Sequence, residues 1–102
     1  MTKFSHPGEI LRNEYLGPAG LKAADLARAT GLSTGRVSEI LNGKRDITAE
    51  IAYRLEQATK ISAQLWLGLQ NDYDLFMIEK KKAKSIRRQT HALNMSHFAT
   101  AE

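Results

Sequence analysis

The sequence predicts an all-α fold of five short-to-medium helices. Three observations carry this. Apolar residues recur three and four positions apart, as one face of a helix requires. Glycine, proline, serine and threonine fall between those runs, where caps and turns need them. No segment shows a sustained strand-type alternation.

The first helix opens at Pro7 and Gly8, with Pro7 suited to a first turn. "PGEILRNEYL" places Ile10, Leu11 and Tyr15 near one face, and "GPAG" at 17–20 is expected to break the helix sharply. "LKAADLARAT" forms the second helix, with Leu26, Ala27 and Ala23 facing inward and Gly31 as its end. The third runs from about Ser33 to Asn42: Ser33 is its N-cap, Val37, Ile40 and Leu41 form one stripe, and Gly43 is its stop. "TAEIAYRLEQAT" is the fourth, with Ile51, Ala52 and Leu55 inside. Ser62 caps a fifth helix that starts at about Ala63. Its run "AQLWLGLQNDYDLFMIEKKKAKSI" holds too many apolar residues for one stripe. Such a helix lies deep in a core or meets a second chain, and in so small a domain the second reading is preferred.

A chain of 102 residues fits one domain, 1–78, with a basic extension, 79–102, that is helical or partly flexible. Hydrophobic residues make up 42%, enough for a core. There is no cysteine, which excludes disulfides and thiolate metal sites. The first ten residues hold no apolar signal core, and no apolar run approaches the ~20 residues that span a bilayer. A soluble, cytoplasmic protein with no membrane association is expected. Net charge is +4, and all of it lies in 79–102, where six basic residues face two acidic ones. Lys80, Lys81, Lys82, Lys84, Arg87 and Arg88 suit a polyanion or a solvated helix end.

Catalysis is not expected, and neither a cofactor nor a metal. His6, His91 and His97 fit no metal-ligand spacing, Asp72 and Asp74 diverge on a helix, and there is no phosphate-cradling glycine loop. Residues 22–43 carry the chemistry instead. Helix, tight glycine turn, helix is the helix-turn-helix arrangement, whose second helix enters the major groove. Thr34 and Ser38 can donate or accept at base edges, Glu39 can accept from a cytosine amino group, and Arg36 can reach a guanine or a phosphate. Gly35 lets backbone approach the bases. Asn42, Lys44 and Arg45 stand where the chain leaves the groove and suit phosphate. Glu39 argues the other way, because it repels phosphate when no cytosine meets it.

The order "PGEIL", "LGPAG", "LNGKRDIT", "WLGLQNDYDL" resembles the HigA-type antitoxins of bacterial toxin–antitoxin pairs, over about residues 6–78. The motif itself resembles the Cro and phage-repressor (XRE) helix-turn-helix domain. The resemblance implies a lambda-repressor-like fold and an antitoxin with two tasks: neutralising a RelE/HigB-like mRNA-cleaving toxin, and repressing its own operon by binding double-stranded operator DNA. By position it implies base reading by Thr34, Gly35, Ser38 and Glu39, and phosphate contacts by Ser33, Arg36, Asn42, Lys44 and Arg45. Where many such domains place a phosphate-clamping glutamine, this chain has Ala23, with Lys22 beside it. A stand-alone repressor without a toxin has the same DNA chemistry, and a pure protein-interaction module predicts no salt-sensitive DNA binding.

One recognition helix of about ten residues is ~15 Å long and touches few base pairs, so a two-fold homodimer is expected. Leu65, Trp66, Leu69, Tyr73, Phe76 and Met77 are the residues shared between core and dimer interface.

Overall fold

The computed structural model describes residues 5–94. It is all-α, as expected, with six helices among those residues. Helix α1 is continuous from Pro7 to Ala19, in three parts: α-helical Pro7–Ile10, π-wound Leu11–Leu16 and α-helical Gly17–Ala19. Then follow α2 (Ala23–Thr30), α3 (Thr34–Leu41), α4 (Ala49–Thr59), α5 (Ala63–Lys81) and α6 (Ala83–Gln89). The sixth helix lies in the basic extension. Residues 95–102 of that extension, and with them His97 of the His91–His97 spacing, lie outside the described residues.

The "GPAG" segment does not break the chain where expected. The helix passes through Gly17 and Pro18 and ends only at Gly20. A proline ring inside a regular α-helix clashes with the carbonyl four residues back, here that of Glu14. The wide turn relieves this: the Gly17 N–H donates to the carbonyl of Arg12, five residues back. Gly20 then takes the left-handed conformation at φ 71°. Its N–H donates to the Gly17 carbonyl and the Leu21 N–H to the Leu16 carbonyl, the paired bonds that close a helix end.

The core is one cluster, with Leu11, Leu26, Val37, Ile40, Ile51, Leu55 and Trp66 at its centre. α3 packs on α2 and α1, and α5 packs on α4 and α1. Two buried polar side chains tie elements together. His6 Nδ1 accepts from the Gly8 N–H at 2.9 Å, capping α1, and its ring meets Tyr73 of α5 edge-on. Gln70 of α5 accepts from the Ile47 N–H at 2.7 Å and donates to Asp46 and Asp74. The loop after α3 is thereby bolted to α5.

Candidate nucleic-acid interface

α3 begins at Ser33, whose Oγ accepts from the Arg36 N–H at 3.1 Å. Val37, Ile40 and Leu41 are buried, so the inner stripe is as the spacing requires. Gly8 sets how closely α1 approaches: a Cβ there would collide with the Ile40 carbonyl. The chain leaves α3 through Gly43 at φ 73°, with the Lys44 N–H donating back to the Glu39 carbonyl.

This anchoring turns the other face outward. Ser33, Thr34, Gly35, Arg36, Glu39, Asn42, Lys44 and Arg45 are exposed and Ser38 is half-buried. The nine residues expected to read bases or hold phosphates therefore share one surface. Gly35 faces open space. Glu39 Oε1 accepts from Arg45 Nε at 2.8 Å and Nη2 at 2.7 Å. The carboxylate that weighed against a polyanion is thus locally neutralised, and its second oxygen stays available. Asn42 Oδ1 accepts from Arg12 Nη1 at 2.8 Å, which turns the amide N–H groups away from α1.

The residues expected to be shared between core and dimer interface divide along α5. Trp66, Gln70, Tyr73 and Met77 form the inward stripe at i, i+4, i+7 and i+11. Trp66 is 1% exposed and meets Tyr15 edge-on, so it belongs to the chain's own core. Leu69, Tyr73, Phe76 and Met77 are half-buried. Leu65 is exposed, and so are Leu75 at 67% and Ile78. The outward stripe therefore includes Leu75 and Ile78, which the sequence reading left out. Arg12 and Gln70 were also missed. Gln70 had a signal, a polar residue four positions after Trp66 on the inner stripe. Arg12 had none, because its partner lies thirty residues away.

Among the described residues no group of three or more His, Asp or Glu side chains is arranged to hold a metal, and no helix is long and apolar enough to cross a membrane. Two helices joined by a tight turn, the second with its polar face outward, define a helix-turn-helix protein. The chain matches the helix-turn-helix family over residues 12–66 and belongs to it. It is 51% identical to virulence-associated protein I of Dichelobacter nodosus over 77 residues, 76% of this chain and 71% of that protein. Its structural neighbours include HigA-type and related antitoxins. Pseudomonas aeruginosa antitoxin HigA, solved with the higBA promoter, is 38% identical with a TM-score of 0.82, over 87% of this chain and 97% of that one. Antitoxin GraA in complex with its operator is 37% identical with a TM-score of 0.82, over 87% and 90%.

Proposed function

We propose that this protein is an antitoxin that represses its own operon and neutralises a RelE/HigB-like mRNA-cleaving toxin. It has no catalytic role of its own and acts in the cytoplasm, where its DNA lies. The observation that carries the DNA half is the single exposed surface made by Thr34, Gly35, Ser38 and Glu39 with Ser33, Arg36, Asn42, Lys44 and Arg45 around them. Short hydroxyl side chains and one carboxylate suit base edges, and the surrounding cations and amide suit phosphate. Likeness to antitoxins solved on promoter and operator DNA supports the same reading. The toxin half rests on that likeness alone.

The homodimer completes the reading. Two copies joined along α5 would set their α3 helices about 34 Å apart, in successive major grooves. Expression of the chain with its neighbouring genes tests both halves. The expected result is co-purification of a small basic protein whose toxicity the chain suppresses, and a gel shift on the DNA upstream of the operon that weakens steeply with salt. Operator binding without any such partner would leave a stand-alone repressor. Absence of any salt-sensitive shift would remove the DNA function.

A further inference from the structure

Between α3 and α4 the chain runs through turns and bends and carries Lys44 and Arg45, two of the cations proposed to hold phosphate. Its first half is held locally. The Lys44 N–H donates to the Glu39 carbonyl at 2.8 Å, and the Arg45 side chain pairs with the Glu39 carboxylate. Its second half is held from α5. Gln70, 3% exposed, accepts from the Ile47 N–H at 2.7 Å and donates to Asp46 Oδ1 at 3.3 Å and Asp74 Oδ1 at 3.0 Å. We propose that Gln70 is a positioning residue for DNA binding: too buried to touch DNA itself, it sets where Lys44 and Arg45 stand by fixing their loop to α5. The proposal rests on the DNA-binding reading above and adds a residue on which the geometry of that surface depends.

A carboxamide is the group this position requires. A backbone N–H can only donate and an ionised carboxylate can only accept, so Oε1 of Gln70 must face Ile47 and Nε2 must face the two aspartates. The partners therefore fix the amide's orientation, and its acceptor and both its donors are engaged. An apolar side chain would leave the Ile47 N–H buried without a partner. A carboxylate would keep that bond but bring a third negative charge to Asp46 and Asp74. The neighbouring groups offer no substitute. His6 Nε2 stands 3.8 Å from Asp46 Oδ1, beyond hydrogen-bond reach, and Tyr73 meets His6 through its ring. Ile47 is itself buried in the core cluster, but hydrophobic burial has no direction. The bond to Gln70 does, so it sets the rotation of the peptide that follows the two cations. α5 also carries the outward stripe proposed to join two copies. In that dimer the separation of the two phosphate-facing loops would be set through the two Gln70 side chains.

The test uses the full chain and a duplex that the unmodified protein selects from random sequence. Affinity is measured between 50 and 200 mM salt, at pH 8 and at pH 5, with circular dichroism on the same samples. Gln70→Met removes the acceptor and both donors at similar size. At either pH it should flatten the salt slope by about 0.9 to 1.8, one or two phosphate contacts, so that it loses about 3.5- to 12-fold less affinity across that range. Gln70→Glu should do the same at pH 8. At pH 5 the new carboxyl, placed between two aspartates, takes up a proton and regains a donor beside its acceptor. Its slope should then return to that of the unmodified protein at the same pH. In a chain that already carries Lys44→Met and Arg45→Met, neither Gln70 change should alter the slope further, because the residues it acts through are gone. Lower stability in urea with an unchanged slope would make Gln70 a purely structural residue and overturn the proposal. So would additive effects of Gln70→Met and the two loop substitutions, or the loss of helix at both pH values in both variants. Failure of the DNA reading itself would show in the unmodified protein, which would select no sequence, and would overturn both.

Discussion

A methyl group on Gly8 would strike the carbonyl of Ile40, while one on Gly35 would meet nothing within 4 Å. Gly8 is therefore required by the fold, because it lets α1 reach the last turn of α3. Gly35 is not, since its φ is negative and its surroundings are open. A glycine inside a helix costs about 1 kcal/mol against alanine, so Gly35 is a local cost that the fold does not explain. The two substitutions should separate. Gly8→Ala should destabilise by at least about 2 kcal/mol, because two backbones must move apart. Gly35→Ala should leave urea stability equal or raised by up to about 1 kcal/mol, while operator affinity falls several-fold. Unfolding curves and a binding titration on the same samples check both. A Gly35→Ala variant with full affinity would remove the reason for that glycine. The sequence shows Gly35 as an oddity on a polar face, because its helix is local. It hides the need for Gly8, because Ile40 is thirty-two residues away.

At the scale of elements, legibility follows the reach of the interactions. The caps at Ser33 and Ser62 were readable because each bonds within three residues. The continuation of α1 past Gly17 was not, because a π-turn has no distinct composition and proline usually signals a stop. α5 lies between these cases. Its excess of apolar residues was plain, but the phase of the stripe was not until Trp66 and Gln70 were seen to face inward. The outward residues follow: Leu65, Leu75 and Ile78, with Gly68 open to solvent. If this stripe joins two copies, Leu75→Glu should yield monomers in sedimentation that keep their helical signal, because Leu75 supports nothing inside its own chain. Operator affinity should fall by more than tenfold, since each monomer reaches one half-site. Phe76→Glu, at a half-buried position beside it, should act in the same direction with some loss of stability. A Leu75→Glu variant that remains dimeric would move the interface elsewhere.

At the scale of the whole fold, the described residues measure 55 × 29 × 22 Å, with a radius of gyration of 17.7 Å against about 13 Å for a compact chain of about this length. α5 alone is about 28 Å long, and α6 adds a further arm beyond Lys82. The segment 79–102, from the end of α5 through this arm, carries the net charge of the protein. Of its cations, Arg87 pairs with Glu79 at 3.8 Å and Lys80 sits 5.9 Å from the Phe76 ring. Lys81, Lys82, Lys84 and Arg88 have no acidic partner among the described residues. Exposed charges on an arm are little constrained in geometry, so they suit attraction to a polyanion more than recognition of one sequence. Replacing all six basic residues of 80–88 with glutamine should therefore weaken binding to random duplex strongly at 50 mM salt. At 300 mM the two proteins should converge, because the screening length has shrunk to well under 10 Å. Sequence preference should stay as it was, since the reading surface on α3 is untouched. Equal binding to random duplex at 50 mM would show that the arm does not serve DNA. Its charge would then be directed at an acidic partner, and suppression of the proposed toxin by the glutamine variant would be the next measurement.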